Sequence, residues 1–467
     1  MLSALSFAPD IVEVALDYSL FSKGLFFHTQ SVTDKQLGLS DSARIELGTL
    51  RDLKIQLNRA ISAGEDELAQ RLLGSIKSRE RYLWNDFLNF DDFQAVFEDY
   101  STESIKNKIK DKDIYLEFVD INNEDTSHIG VFIISKNLPV RFLDLGESAR
   151  LAQSNANSRL WKPILNTVTS DAKIYFSSDG ALNIFPIEFA EDEAGVPICD
   201  KYDLHRVFHL SDIRPETGIG NRVEAIGVAD HNSPSGQALG LNDGYRGNWD
   251  DLAGVETELY RIAENLDGTT QYHRAFNDEA TEAYVKNLSG QPITTLHVST
   301  HGFYRGEKEL TEALSDSSNF DHNMASRLLL GNRSSVSGLV MRNGNLSWKA
   351  KYVTEDEDNI LTSEEVETLS FPNLNLTVLS ACETGLGETS ADGVWGLQRA
   401  FRIAGSGSMI CSLWKVNDSA TADFMAEFYH RAAEGSTIHD AFYGARAELL
   451  DRDPSKKKEW SSFILIE

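Results

Sequence analysis

Cysteine, proline and basic residues are scarce in this chain of 467 residues. Its three cysteines, Cys199, Cys382 and Cys411, cannot build a disulfide framework, and none stands at the C-x-x-C spacing of zinc or redox sites. No run of about 18 apolar residues is present, and the N-terminus lacks the basic region and cleavage pattern of a signal peptide. These absences predict a cytoplasmic protein with free thiols and argue against a membrane-spanning helix.

Positive charge is in deficit, since 44 Lys and Arg against 72 Asp and Glu give a net charge of −28. Such a field repels phosphate backbones and anionic lipids, so we expect no direct binding to nucleic acid or to a membrane. It favours basic segments of a partner or substrate, although it equally serves solubility. A hydrophobic fraction of 41% with 10% aromatic residues is typical of a globular protein.

Sequence signatures of a bound metal or nucleotide are missing as well. The chain has no H-E-x-x-H pattern, no Walker loop and no EF-hand loop, and its acidic run at 355–358 lacks the ligand spacing and glycine of a calcium site. We therefore expect neither a bound metal nor a cofactor.

The first 111 residues have the periodicity of helices. Apolar residues recur at helical spacing in EVALDYSLFSKGLFF, in the segment after the Ser-rich cap LSDS, and in the proline-free stretch from Glu65 to Tyr100. No 34-residue repeat is found in this region. We predict a helical N-terminal region over residues 1–111.

From residue 112 onward the pattern changes to strands and then to alternating strands and helices. IYLEFVDI and HIGVFIIS have the form of paired strands, and later apolar runs such as EAIGVAD alternate with helical stretches such as GVWGLQRAFRIAG. This alternation is typical of βαβ units and a mainly parallel sheet. We predict an α/β domain over residues 112–467, divided into an N-terminal part, 112–290, and a catalytic part, 291–467.

Two apolar strands of this sheet end at reactive side chains. TTLHVST stops at His301 and Gly302, and LTVLSA stops at Cys382. Reactive positions of an open parallel sheet lie just beyond the carboxyl ends of its strands, so neighbouring strands of this kind would bring the imidazole and the thiol together. The imidazole can then act as base toward the thiol and as acid toward a departing amine. The backbone N–H groups of Gly302 and Cys382 could form an oxyanion hole.

Each of these residues also has an ordinary structural explanation. A single Cys after an apolar strand is more often a buried core residue, and a single His is usually a hydrogen-bonded polar residue. Cys411, within SMICSLW, is expected in the core, and His297 is expected to pack or hydrogen-bond inside its strand. The combination of strand-His-Gly with strand-Ser-Ala-Cys is what favours an acyl-transfer site.

The chain from Lys173 to Glu467 resembles the CHAT family of caspase-like cysteine peptidases, which are related in fold to caspases, gingipains and separases and often follow tetratricopeptide repeats. The matching segments include IYFSSDGALNIFPIEF, LAGVETELYRI, LHVSTHGF, LTVLSACETGLGE and DGVWGLQRAFRIAGSGSMICSLWKVNDSATADFMAEFY. The resemblance implies a caspase-like, mainly parallel sheet flanked by helices, preceded by a helical region and a small β-rich segment. It also implies a thiol protease with His301 and Cys382 as its dyad, in a bacterial defence or cell-death context. The same resemblance implies that the helical region over residues 1–111 is the end of a tetratricopeptide-type or linker region.

The chain departs from caspases at the nucleophile. Ser380 stands where the caspase signature has Gln, and 81 positions separate His301 from Cys382, against about 50 in caspases. Caspase specificity for Asp is therefore not carried over. In separase-like relatives an acidic residue after a Leu-Trp strand end receives a basic side chain, which implies Asp418 as a substrate-binding residue.

Asp392 is a second candidate for the same task, and Tyr304 is a candidate subsite residue. A carboxylate in a partly desolvated pocket would pair with Arg or Lys through charge-assisted hydrogen bonds. Each aspartate also precedes a helix, so helix capping is an equally simple explanation.

The segment between His301 and Cys382 is an excursion from the main sheet. It is polar and Ser-rich, contains the hairpin-like VSGLVMRNGNLSW, and ends at the capped helix LTSEEVETL. Its part from Leu314 to Asn359 is expected to cover the site until a regulatory protein partner binds the helical N-terminal region.

Two other functions stay open at this point. One is a catalytically silent caspase-like scaffold for protein interactions, and the other is a thiol amidase that acts on a non-protein substrate. The chain is also expected to be a fragment of a longer repeat protein, or to work with a separate sensor subunit.

Overall fold

The structure is a computed structural model, and it describes most of the chain. The residues described are 12–20, 23, 46, 49–50, 52–53, 56–57, 60, 65–86, 100–122, 127–148, 157–168, 172–231, 249–266, 268, 270–304, 337–345, 359–381, 388–390, 393–414 and 416–467.

The N-terminal region is helical in the longer segments described. Residues 12–20 form a helix, α1 spans Asp66–Asp86, and α2 spans Thr102–Lys108. Ser101 begins α2 by accepting a hydrogen bond from the backbone N–H of Ser104 at 3.1 Å.

Helix 12–20 packs on the first of two large sheets. Its buried Leu16 belongs to one core cluster with Phe132 of that sheet. Just beyond the helix, Lys23 forms a buried ion pair of 2.7 Å with Glu117 of the first strand. Apolar contact and a buried charge pair therefore anchor the N-terminal helix to the sheet.

The first sheet has five strands in the order β3-β2-β1-β4-β5. They are β1 Ile114–Asn122, β2 Ser127–Ile134, β3 Arg141–Glu147, β4 Lys173–Ser177 and β5 Asp203–Arg206. The pairs β3–β2 and β2–β1 are antiparallel, whereas the pairs β1–β4 and β4–β5 are parallel. Helix α3, Asn157–Leu165, packs Trp161 into the core on one face of this sheet.

The second sheet has six strands in the order β16-β15-β12-β8-β6-β7. They are β6 Arg222–Gly227, β7 Gln271–Phe276, β8 Thr295–Ser299, β12 Leu376–Ser380, β15 Ser408–Ser412 and β16 Phe463–Ile466. Only β16 is antiparallel to its neighbour. Every residue of β8 and β12 is buried, as expected for central parallel strands covered on both faces.

Helices cover both faces of the six-stranded sheet. They are α4 Gly254–Asn265, α5 Glu282–Asn287, α6 Ser363–Glu367, α7 Leu397–Ala404, α8 Asp418–Ala433, α9 Ile438–Arg452 and α10 Lys457–Trp460. The core on one face joins α4, α8, α9 and α10, and the core on the other joins α5, α6 and α7. The prediction of a mainly parallel α/β sheet flanked by helices, after a helical region and a β-rich segment, is confirmed.

Two small sheets lie between the dyad positions and just after them. One has the order β11-β10-β9, with β9 His301–Tyr304, β10 Ser337–Val340 and β11 Ile360–Thr362. The other pairs β13 Glu388–Ser390 with β14 Gly393–Trp395. The predicted cap of α6 is confirmed as a capping box between Thr362 and Glu365. Most of the predicted covering insert, 314–359, lies outside the described residues.

The two large sheets adjoin edge to edge. The backbone N–H of Glu467, after β16, donates to the carbonyl oxygen of Arg206 in β5 at 2.8 Å. Because β6 pairs directly with β8, the change from the first sheet to the second falls between Arg206 and Arg222.

Candidate active site

The carboxyl ends of β8 and β12 lie side by side in the middle of the six-stranded sheet. Ser299, the last residue of β8, pairs directly with Ser380, the last residue of β12. His301 follows Ser299 by two residues, and Cys382 follows Ser380 by two. The chain is described as far as Ala381, so Cys382 itself lies outside the described residues.

His301 is the first residue of β9 and is buried. Its Nε2–H donates to the carbonyl oxygen of Asp250 at 2.8 Å, and its ring packs against that of Trp249, with 5.1 Å between centroids. Since Nε2 carries the proton of the neutral ring, Nδ1 is the nitrogen that can accept one. A backbone carbonyl thus orients the imidazole, as a third side chain does in catalytic triads.

A second imidazole lies beside His301. The ring of His231 is 4.9 Å away between centroids, and its Nε2 is 3.1 Å from the hydroxyl oxygen of Thr300. Burial and, after it, the proximity of His301 lower the pKa of His231 to about 3. His231 is therefore neutral at physiological pH and adds no positive charge beside His301.

Asn345 holds the segment that orients His301. Its side-chain oxygen accepts the backbone N–H of Trp249 at 2.8 Å, and its amide nitrogen donates to the Trp249 carbonyl at 3.0 Å. The predicted Asn-Gly turn is present just before it, where Asn343 has a φ of +68°. The strand β10 before this turn pairs with β9 and β11, so it is not one arm of the simple hairpin that the sequence suggested.

The backbone of Gly302 is oriented for a role outside its own sheet. Met341 N–H donates to the Asn359 carbonyl at 2.9 Å, and hydrogen bonds of an antiparallel ladder alternate, so Leu339 faces β11 with both its backbone groups. Gly302 lies opposite Leu339 in β9. It therefore occupies a non-hydrogen-bonded pair, and its N–H points away from β10, as an oxyanion-hole donor requires.

The peptide group before Cys382 is anchored by the neighbouring strand. The hydroxyl of Ser412, the last residue of β15, donates to the carbonyl oxygen of Ala381 at 2.7 Å. This bond fixes the direction in which the chain leaves β12.

Asp418 lines a small pocket, about 40 Å³ in volume, at the ends of β8, β12 and β15. It is not the cap of α8, because Asn417 performs that task by accepting the backbone N–H of Ser419 at 2.9 Å. Instead, Asp418 Oδ2 accepts the backbone N–H of Gly254 at 3.3 Å, at the start of α4. Asp418, in the first turn of α8, therefore accepts one of the N–H groups at the start of α4 that have no acceptor within their own helix.

The remaining candidates are placed as follows. Asp392 lies outside the described residues. Tyr304 is the half-buried last residue of β9. Cys411 is buried in the core, as predicted, and burial raises the pKa of its thiol to about 12. Burial also raises the pKa of Cys199, so neither of these two thiols has the thiolate character that a nucleophile needs.

A cluster of potential metal ligands lies away from the dyad, where the two sheets adjoin. His205 and His439 stack with ring centroids 3.9 Å apart, and Glu467 accepts from Nδ1 of the two rings at 2.7 and 3.1 Å. Asp203 Oδ1 lies 3.0 and 3.2 Å from their Nε2 atoms. Asp203, His205 and His439 could offer three ligand atoms to one ion.

The ring geometry favours an ion cluster over a metal site. Two imidazoles on one tetrahedral ion diverge from it, which sets their centroids about 5 Å apart. Here the carboxylates flank both edges of a tight stack. Burial alone would lower the pKa of His439, but hydrogen bonds with Asp203 and Glu467 outweigh it and raise that pKa to about 9. The four residues therefore form two ion pairs across the sheet junction.

Comparison of the sequence with models of protein families shows the family to which the chain belongs. The sequence model of the CHAT domain matches residues 152–467. The chain belongs to the CHAT domain family. This CHAT protein is 30% identical over 114 residues to Tetratricopeptide repeat protein 28 of Homo sapiens, an alignment that covers 24% of the chain and 4% of that protein. The chain thus spans a small fraction of the length of this relative.

Comparison with solved structures gives matches of low similarity. The Arg-specific cysteine proteinase gingipain R matches with a TM-score of 0.38 and 9% identity, over 67% of each chain. The separase–securin complex of Saccharomyces cerevisiae matches with a TM-score of 0.36 and 12% identity, over 66% of this CHAT chain and 17% of the other. Within the described residues, no helix has the length and apolar character needed to cross a bilayer.

The sequence did not point to three features of this site. Asp250 acts through a backbone carbonyl, which any residue carries, and Trp249 and Asn345 lie in segments without a recognisable motif. The Asn-Gly pair before Asn345 did predict a turn, but it did not indicate that Asn345 binds the backbone of Trp249.

Proposed function

We propose that this CHAT protein is a cysteine endopeptidase that hydrolyses peptide bonds of a protein substrate through His301 and Cys382. The observation that carries the proposal is the register of β8 and β12, because both residues follow a directly paired serine, Ser299 or Ser380, by the same two positions. Membership of the CHAT family supports the choice of a peptide substrate.

The reaction proceeds through a thioester. His301 Nδ1 takes the proton of the Cys382 thiol, and the sulfur attacks the scissile carbonyl carbon while the N–H groups of Gly302 and Cys382 bind the oxyanion. The imidazolium then gives its proton to the leaving amine as the C–N bond breaks. Water, deprotonated by the same imidazole, hydrolyses the thioester and restores the thiol.

The substrate side chain is assigned to the acidic side of the site. Asp418 lines the pocket at the strand ends, and Asp392 and Tyr304 are the further candidates for contacts with the substrate. A carboxylate at this place would pair with Arg or Lys. The net charge of −28 supports a basic cleavage segment, since it raises the local concentration of positively charged chains.

Control of the activity is assigned to a regulatory protein partner that binds the helical N-terminal region. Helix 12–20 packs on the first sheet, and Lys23 just beyond it pairs with Glu117 of that sheet, so a partner bound to this helix would lie beside the sheet.

Cleavage of a peptide library by the wild-type chain and by Cys382→Ala tests the function. We expect the wild type to cleave after basic residues and Cys382→Ala to lose cleavage while keeping its unfolding temperature. Cys199→Ala is the matched control, because its thiol is held protonated by burial. Full cleavage by Cys382→Ala would contradict the proposal. A wild type that binds a covalent thiol probe at Cys382 but cleaves no peptide would favour an amidase, and one without a reactive Cys382 would favour a scaffold.

A further inference from the structure

One buried carboxylate of α4 contacts both strand ends that carry the proposed dyad. Glu258 Oε2 accepts a hydrogen bond from the hydroxyl of Ser299 at 2.7 Å, and its Oε1 accepts one from the hydroxyl of Ser380 at 2.6 Å. The two serines pair directly across β8 and β12. Paired residues of parallel strands point to the same face of the sheet, which is why a single carboxylate reaches both.

The position of Glu258 is set by close packing of α4 on the sheet. Gly227, in β6 beside Ser299, leaves the space that α4 occupies, since a Cβ on it would lie 2.5 Å from the side chain of Leu259. At its first turn α4 is held by Asp418. Glu258 lies on the buried face of the helix together with Val255, Leu259 and Ile262.

A carboxylate at this place is costly, because burial penalises its charge unless hydrogen bonds compensate it. The ring of His297, in the middle of β8, lies close to the carboxylate, with Nε2 3.2 Å from Glu258 Oε1 and Nδ1 3.2 Å from the hydroxyl oxygen of Tyr429. Apolar residues would cover these strands at lower cost. What an apolar residue cannot do is fix the spacing of two strand ends through directional bonds.

We propose that Glu258 is a positioning residue, which ties the carboxyl ends of β8 and β12 together and thereby sets the distance between His301 and Cys382. The inference rests on the proposed dyad. The same carboxylate also borders the pocket that Asp418 lines, so direct binding of a substrate cation is the alternative that the experiment has to separate.

The experiment measures alkylation of Cys382 by iodoacetamide against pH, on the full chain, with each cysteine resolved by mass spectrometry. A thiol paired with an imidazole reacts well below the pH at which an isolated one does, and an isolated cysteine has a pKa of about 8.5. We expect the wild type to show the lower midpoint, and His301→Ala to show the higher one.

Four variants then test whether Glu258 is a positioning residue. Glu258→Ala should move the midpoint toward that of His301→Ala and lower kcat for a peptide substrate by about 100-fold with KM and cleavage-site preference unchanged, the effect of a misplaced reacting group. Glu258→Gln, which can still bridge both serines, should restore most of both. Ser299→Ala and Ser380→Ala each remove one bond and should have intermediate midpoints, which decides the matter if Glu258→Ala does not fold. Glu224→Gln is the matched control, since that buried carboxylate of the same sheet binds His273 and Tyr284 instead.

Each result has one meaning. A wild-type midpoint in Glu258→Ala or in both serine variants overturns the proposal, and so does a changed cleavage-site preference in Glu258→Gln, which would make Glu258 a substrate ligand. A wild type without peptide turnover but with a His301-dependent midpoint contradicts the peptidase function and still tests Glu258. Equal midpoints in the wild type and His301→Ala overturn the dyad and the positioning role together.

Discussion

Each of the two large sheets has an inner strand that is followed by a short sequence ending in Gly, and the residue before that Gly makes different interactions in the two sheets. After β4 the chain continues as 178–180, Ser-Asp-Gly, and after β8 as 300–302, Thr-His-Gly. The two carboxylate oxygens of Asp179 accept the backbone N–H groups of Asp120 at 2.8 Å and Gly180 at 2.7 Å. His301 instead donates one N–H to a carbonyl.

The difference shows what turns a strand end into a candidate reaction site. Asp179 binds backbone groups with both oxygens, and burial raises its pKa, so its function is to close a turn. An imidazole such as that of His301 can both accept and donate a proton, and the hydrogen bond to the Asp250 carbonyl orients its ring. Asp179 and His301 both lie just beyond the end of a strand, so the chemistry of each side chain determines the function of its position.

Variants of His301 and Asp179 should show the largest difference between a catalytic and a structural residue. We expect His301→Ala to lower kcat/KM for peptide cleavage on the order of 10⁴-fold, as loss of a catalytic base does, with little change in the free energy of unfolding. Asp179→Ala leaves buried N–H groups without an acceptor, so it should lower the free energy of unfolding by about 1–3 kcal/mol and keep kcat/KM. Peptide turnover and urea unfolding of both variants check this. Loss of turnover by folded Asp179→Ala would contradict the contrast.

Buried charge in the first sheet should likewise be structural. Lys23 and Glu117 are both buried, and burial raises the pKa of Glu117 despite the ion pair. Lys23→Met should therefore lower the free energy of unfolding by about 3–5 kcal/mol, because it leaves a buried carboxylate unpaired. The double variant Lys23→Met with Glu117→Gln is the control and should recover most of the loss in urea unfolding. A single variant as stable as the wild type would show that the pair is not what anchors the helix.

The histidine cluster between the sheets predicts a smaller, pH-dependent effect. The pKa of His439 is raised from 6.5 to about 9, so its contribution to stability is complete below pH 6.5 and is lost as pH rises through 9. That of Glu467 is lowered from 4.5 to about 2, so its contribution is lost only as pH falls below 4.5. We expect the free energy of unfolding to fall on the order of 2 kcal/mol between pH 7 and 10.

Urea unfolding at several pH values checks this prediction, with His439→Gln as the control that should remove most of the dependence. An equal slope in the wild type and in His439→Gln would assign the loss to other groups.

Sequence patterns predicted the parts of this fold that rest on local chemistry. The apolar runs of β8 and β12, the change from helical to α/β texture, the capped helix after Thr362 and the buried Cys411 all follow from periodicity, capping and composition. The sequence allowed Asp418 either to cap α8 or to bind substrate, and the structure shows that Asn417 is the N-cap of that helix.

The long-range parts could not be predicted in the same way. Glu258 appears in a helical segment with the charge pattern of a solvated helix, and only the register of two distant strands shows what it binds. The placement of β6 beside β8 is likewise a pairing between segments about 70 residues apart, which periodicity does not encode.

The two hydrogen bonds of Asn345 carry a consequence for control of the proposed activity. They join the end of the β10 turn to Trp249, and the next residue orients His301. A protein that displaced Asn345 would break both hydrogen bonds to Trp249 and shift the Asp250 carbonyl, which holds the proton of His301 on Nε2. Loss of the proposed activity would then need no ligand in the pocket that Asp418 lines, so such a partner and a ligand in that pocket would bind the protein at the same time.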